Sequence, residues 1–335
     1  MSDQPVIGSY DAALFDLDGV IYLGPEPVPG AADGVAGLRA RGTKIGFVTN
    51  NAARTPASVA EHLRDLGISA QTSDVVTSSQ AGAHLLRERF GPGAKVLVVG
   101  GGGLWAALAE AGLTGVRSAD DDPVAVIQGW STDLLWEQIN EAAVAVNRGA
   151  HWLATNTDMT RPTDRGIVPG NGAAVAAVRV AVDVDPEVAG KPYRPLFAET
   201  IERLGAAKPI FVGDRLDTDI NGAVALGIDS MMVLTGAHGA AELLAAGPDA
   251  RPTYLGWNVQ ALLEPALSVT VDGDRASSGG ATAVVENGAL RLLAPPRNRA
   301  QAVAGLWAAA RLAWTYADSG RPLDHTSISP LLGTP

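Results

Sequence analysis

The 335-residue chain contains no cysteine. That absence excludes disulfides, a thiolate nucleophile and any thiolate-bound metal, and it suits a reducing compartment. Basic residues are in deficit, with 25 Lys and Arg against 36 Asp and Glu and a formal net charge of −11. A protein that neutralises a phosphate backbone displays a basic stripe, so a small molecule is the expected partner and nucleic acid is not. Long apolar runs are missing as well. The stretches GAAVAAVRVAV and AVAGLWAAARLAW are each broken by an arginine, well short of the ~20 apolar residues a membrane span requires. The start, MSDQPVIGSY, has neither the basic nor the apolar segment of a secretory signal. The expectation is a soluble cytoplasmic protein with no membrane contact. Histidine is scarce, and the five present show no metal-ligand spacing.

What the chain does have is rhythm. At 47% hydrophobic, 335 residues are too many for one small core and imply two or three domains. Apolar runs rich in Val and Ile alternate with segments of helical periodicity, and Gly, Pro, Asn or Asp mark the changeovers. That alternation predicts βαβ units around a parallel sheet. The expected strands are AALFDLD, TKIGFVTN, SDVVTSS, KVLVVG, VAVIQGW, HWLATN, PEVAG, KPIFVGD and SMMVLTG, with helices near 31–41, 56–66, 79–89, 103–111, 133–147, 171–181, 194–204 and 219–226. No repeat of fixed period is present. Beyond Leu267 the pattern changes to SVTVDG and TAVVENGALRLL, read as a β-hairpin, and then to one Ala- and Trp-rich helix near 299–317. Val303, Leu306, Trp307, Ala310 and Trp314 fall on one face of that helix. A hairpin is marginal alone, so this module is expected to dock on its own core or on a second subunit, the latter giving a homodimer.

In open α/β sheets ligands bind beyond the carboxyl ends of the strands. Four such ends carry unusual chemistry. AALFDLDGV ends in Asp16 and Asp18, followed by Gly19. GFVTNNAAR ends in Thr49, Asn50 and Asn51, a hydroxyl and two amides suited to an anion. PEVAGKP delivers Lys191, and FVGDRLDTDI offers Asp214, Asp217 and Asp219 just before a helix. Carboxylates for a hard cation, one lysine and several neutral donors make up the inventory of phosphoryl transfer. Singly, each has an ordinary explanation: a turn, a cap, or, for Asp219, the N-cap of its own helix. Their shared position at successive strand ends favours the functional reading.

Two further features compete. KVLVVGGGGLWAA sets Gly101, Gly103 and Ala106 in a G-x-G-x-x-A frame after a strand, with Asp120 and Asp121 downstream, the outline of a dinucleotide site. The simpler account is a tight strand-to-helix turn. TNTDMTRPTDRG gathers Asn156, Asp158, Arg161 and Arg165 as candidates for substrate specificity.

DLDGV, VTNN, the GKP lysine and GDRLDTD resemble, in order and over roughly the first 260 residues, the four motifs of the haloacid dehalogenase superfamily of aspartate-nucleophile phosphatases. The long segment between the second and third motifs, with IQGW, LATNTD and DRGIVPGNGA, is similar to the C2-type cap of the p-nitrophenyl phosphatase, phosphoglycolate phosphatase and pyridoxal phosphatase subgroup. Thr157 stands where that subgroup more commonly has proline. The resemblance implies a Rossmann-like three-layer α/β core with a parallel sheet, formed by residues 1–83 and 183–265. It places an inserted α/β cap at 84–182 and leaves 266–335 as an appended module. The implied activity is Mg²⁺-dependent hydrolysis of a small phosphorylated metabolite, such as glycerol 3-phosphate or phosphoglycolate. In that scheme Asp16 is the nucleophile and Asp18 the general acid and base. Mg²⁺ is held by the Asp16 carboxylate, the Asp18 main-chain carbonyl and Asp214, with Asp219 in support. Thr49, Asn50 and Asn51 grip phosphate, and Lys191 offsets its charge. The competing class is a nucleotide-binding or regulatory protein with vestigial motifs.

Overall fold

The computed structural model describes residues 4–163, 165–326 and 328. Residues 1–3 of the expected core and 327 and 329–335 of the expected tail module lie outside the described residues. The chain divides into two units, Met1–Ile45 with Ala206–Pro335, and Gly46–Gly205.

In the first unit, four parallel strands lie side by side in the order Tyr254–Gly256, Asp229–Val233, Pro209–Gly213 and Ala12–Phe15. All four residues of Ala12–Phe15 are wholly buried, which explains the unbroken apolar run: a parallel strand covered on both faces needs apolar side chains throughout. Phe15 pairs with Val212, and Asp16 N–H donates to Val212 O at 2.9 Å. Asp16 and Asp214 therefore leave the sheet at the same end. After Pro209–Gly213 the chain makes one wide π-helical turn, Leu216–Ile220, before the helix Asn221–Leu226. Asp219 lies within that turn and not ahead of the helix. It accepts the Arg215 N–H at 3.1 Å, so helix capping is not its role.

The tail departs from the expected hairpin. Its sheet has four antiparallel strands in sequence order, Thr270–Asp272, Arg275–Ser278, Ala281–Glu286 and Ala289–Leu292. The turns are two residues each, and the second and third, Gly279-Gly280 and Asn287-Gly288, have positive φ at both positions, the geometry that matches strand twist in tight hairpins. Arg275–Ser278 escapes a hydrophobicity reading because its inward positions are only Ala276 and Ser278. The helix Arg299–Asp318, capped by Asn298 accepting from Gln301 N–H at 2.9 Å, packs on this sheet. Its apolar face joins one continuous core with Leu216, Ile220, Met232 and Leu243. The module thus docks on its own unit. Trp307 and Trp314 meet edge to face at 5.6 Å, and the Arg251 guanidinium takes both Asp318 oxygens at 2.7 Å.

In the second unit, Lys44–Thr49, whose larger part belongs here, pairs in parallel with Val75–Thr77. A separate parallel sheet runs Glu187–Val188, His151–Ala154, Ala125–Gln128, Lys95–Val99 and Thr114–Val116. Leu97, Val126, Ile139, Trp152 and Val175 form its core. The helix Ser78–Phe90 begins with a reciprocal cap: Gln80 N–H donates to Thr77 Oγ1 at 3.3 Å, and Thr77 N–H to Gln80 Oε1 at 3.2 Å. An antiparallel pair, Thr160–Thr163 with Gly166–Pro169, extends from the segment that carries the specificity candidates.

Candidate functional site

Within the first unit three carboxylates converge. Asp16, Asp214 and Asp219 each bring an oxygen within 4.8 Å of the others, and all three are buried, Asp219 completely. Negative charges so spaced repel strongly out of water. An all-oxygen, all-carboxylate set suits a hard divalent cation such as Mg²⁺ and not a soft one. The surroundings hold Asp214 in one orientation. Ala237 N–H donates to Asp214 Oδ2 at 2.6 Å and His238 N–H to the Asp214 carbonyl at 3.2 Å. A side chain at Gly236 would put its Cβ 1.9 Å from Asp214 Oδ2, and one at Gly19, where φ is +86°, would put its Cβ 2.4 Å from the same oxygen. Thr235 Oγ1 donates to the Gly19 carbonyl at 2.7 Å, fixing that turn. Beyond His238, the Gly239 N–H donates to Glu242 at 2.9 Å and so holds that carboxyl below its ordinary value. Asp18 is exposed and stands outside the buried trio. Asp219, expected as support for the metal shell, lies with Asp16 and Asp214 in the trio.

Within the second unit Asn50 is a hub. Its Oδ1 accepts the Lys191 N–H at 2.8 Å, and its Nδ2 donates to the Lys191 carbonyl at 3.1 Å and to Asp158 Oδ2 at 3.3 Å. The Asn50 carbonyl accepts from Ser78 Oγ at 2.8 Å and Asn156 Nδ2 at 2.7 Å. Lys191 itself is buried. Thr49 is buried too, its Oγ1 accepting the Asn51 N–H at 3.1 Å, while the exposed Asn51 accepts from Ala53 N–H at 2.9 Å. Asn156 is committed internally: its Oδ1 accepts the Asp158 N–H, and its carbonyl accepts Asn171 Nδ2. Arg161 lies over the Trp130 ring at 3.9 Å, and Arg165 is exposed in the turn just before the strand Gly166–Pro169. The four specificity candidates therefore divide, with Asn156 and Asp158 at the Asn50 hub, Arg161 on the strand Thr160–Thr163 and Arg165 in the turn that follows it.

The glycine frame serves packing. Gly103 N–H donates to Ala53 O at 3.2 Å, and a Cβ on Gly103 would lie 2.3 Å from Ala52 O. The backbone that would cradle a pyrophosphate is occupied by protein. Asp120 pairs with Arg148 at 2.9 Å and Asp121 accepts from Ser118 N–H, both local interactions.

A family model described as haloacid dehalogenase-like hydrolase matches residues 13–114, and a second, HAD-hydrolase-like, matches 188–262. D-glycerol 3-phosphate phosphatase of Mycobacterium tuberculosis is 44% identical over 289 residues, 85% of this chain and 81% of that protein. The chain belongs to the haloacid dehalogenase-like hydrolase family. Among further haloacid dehalogenase-like relatives, acid sugar phosphatase of Staphylococcus aureus is 39% identical over 68% of this chain and 87% of its own length. The crystal structure of glycerol phosphate phosphatase from Mycobacterium tuberculosis in complex with magnesium superposes with a TM-score of 0.85 at 39% identity, covering 98% of both chains. The match to a haloacid dehalogenase-like hydrolase thus extends through the tail. Sequence reasoning missed the Thr235–His238 segment of this hydrolase. Its signal was available, since TGAHG follows the strand Asp229–Val233 and occupies a fifth strand end.

Proposed function

We propose that the chain is a Mg²⁺-dependent phosphatase of small phosphate monoesters, with glycerol 3-phosphate as its substrate. The buried trio of Asp16, Asp214 and Asp219 carries this reading, because its donors fit a hard cation where the family's chemistry requires one. The identity to a D-glycerol 3-phosphate phosphatase supports the choice of ester.

Asp16, Asp214 and the Asp18 carbonyl would hold the metal, supported by Asp219 in the same trio, and the metal would offset negative charge on the phosphoryl group. The Asp16 carboxylate attacks phosphorus and the P–O bond to the alcohol breaks, leaving an aspartyl-phosphate. Asp18, protonated, gives its proton to the departing alkoxide. It then takes a proton from water, whose oxygen attacks phosphorus, frees inorganic phosphate and restores Asp16. Thr49, Asn50 and Asn51 hold phosphate oxygens and Lys191 balances their charge. Asn156, Asp158, Arg161 and Arg165 are the candidates for reading the leaving group. The same reading takes 1–83 and 183–265 as the catalytic core, 84–182 as the cap and 266–335 as an appendage. A cytoplasmic setting is part of the proposal. No helix among the described residues is long and apolar enough to cross a membrane. A homodimer remains part of the proposal.

The test is phosphate release from glycerol 3-phosphate, phosphoglycolate, pyridoxal phosphate and a sugar phosphate, with Mg²⁺ and after EDTA. Glycerol 3-phosphate should show the highest kcat/KM, and EDTA and Asp16→Asn should each abolish turnover. No release from any ester, or turnover that survives EDTA or Asp16→Asn, overturns the reading.

A further inference from the structure

The tail module is joined to the carboxylate trio by a short chain of contacts inside one unit. Ala237 and His238 hold Asp214 through their main-chain N–H groups, at 2.6 Å and 3.2 Å. The next residue, Gly239, opens the helix Ala240–Leu244, with its N–H capped by Glu242 at 2.9 Å. Five residues cannot sustain a helix alone, so the position of this one is set by what it packs against. At its far end Trp314 Nε1 donates to Leu243 O at 3.0 Å, with Leu243 wholly buried and Trp314 nearly so. Leu243, Leu244 and Met232 share their core with Trp314.

We propose that Trp314 is a positioning residue for the cation site: by fixing the Ala240–Leu244 helix it fixes the Ala237 N–H on Asp214, and with it the affinity for Mg²⁺. The inference rests on the trio being the Mg²⁺ site. It gives the appended module a part in the chemistry, although none of its residues belongs to the trio. Partners one step removed from a ligand commonly change metal affinity ~10- to 100-fold. Trp314 acts through one further element, so a smaller effect, about three- to tenfold, is expected.

Mg²⁺ binding to the full chain is measured by titration calorimetry, beside thermal unfolding. Trp314→Phe keeps most of the bulk and removes the N–H; it should bind Mg²⁺ about three- to tenfold more weakly. Trp307→Phe is the matched control. Trp307 lies on the same helix, is equally buried and donates to Leu267 O at 3.2 Å, not to the Ala240–Leu244 helix, and Phe keeps an aromatic ring beside Trp314. It should lower the unfolding temperature and leave Mg²⁺ affinity unchanged. Glu242→Ala cuts the link at an exposed position and should weaken Mg²⁺ binding without disturbing the core. Unchanged affinity in whichever of Trp314→Phe and Glu242→Ala is folded, or equal loss in Trp307→Phe, overturns the proposal. If the unaltered chain binds no Mg²⁺, the reading of the trio itself fails.

Discussion

Asn50 holds Lys191 by both polar groups of its main chain, Oδ1 accepting the N–H at 2.8 Å and Nδ2 donating to the carbonyl at 3.1 Å. This two-point clasp orients a buried cation whose charge is useful only if correctly aimed. Asn50→Asp keeps the acceptor, loses the donor and sets a carboxylate against Asp158, which now accepts from Asn50. A misplacement near 1 Å can cost ~10²-fold in rate. Asn50→Asp should therefore reduce kcat/KM by about ten- to a hundredfold and weaken inhibition by inorganic phosphate. Unfolding midpoint and steady-state kinetics together check this; wild-type kinetics would show that Lys191 is aimed by something else.

Asp18 is exposed where Asp16 is buried, a position from which it can exchange protons with substrate and water. A general acid matters most when the leaving group is poor. Asp18→Asn should thus slow an alkyl phosphate such as glycerol 3-phosphate by ~10²-fold or more and p-nitrophenyl phosphate much less. The comparison of kcat on the two esters decides. Equal losses would remove Asp18 from the acid role.

The legible part of this fold is the part buried on both faces. Runs such as AALF and PIFVG announced strands because every side chain is covered, and the site carboxylates were visible as polar residues just past them. Arg275–Ser278 was invisible because its inward side chains are small. The wide turn at Leu216–Ile220 was hidden because the pattern around Asp219 equally suits a capped helix start. Asn50 was legible as a candidate anion donor, but the bonds of its side chain to Lys191 and Asp158 were not. One chain position cannot reveal a partner 141 residues away.

Gly236 is the tightest approach to the trio. Its added Cβ would sit 1.9 Å from Asp214 Oδ2, and the carboxylate cannot retreat without losing the Ala237 N–H. Overpacking of a filled site costs ~1–3 kcal/mol, which corresponds to a fall in unfolding temperature of roughly 2–4 °C per kcal/mol in a chain of this class. Gly236→Ala should show that fall and, more tellingly, weaker Mg²⁺ binding by calorimetry. Wild-type affinity in the folded variant would mean that Asp214 tolerates displacement and is not an ordered ligand.

Removal of the tail tests how the first unit is built. The Arg299–Asp318 helix buries Trp307, Leu306, Leu312 and Trp314 in the same core as Met232, Leu243 and Leu255, which belong to the strands and short helix beneath. A chain ending at Pro265 would uncover those residues to water. Burial of a large apolar side chain contributes ~1.5–3 kcal/mol, so losing several at once is comparable to the typical ~5–15 kcal/mol stability of a domain. The shortened chain should therefore aggregate or unfold at a markedly lower temperature, and scanning calorimetry with light scattering will read either outcome. Trp307→Ala in the full chain removes one anchor, together with the ring that meets Trp314 edge to face, and should cost ~3–5 kcal/mol. A shortened protein that stays monodisperse with an unchanged unfolding temperature would mean that the shared core contributes nothing to stability.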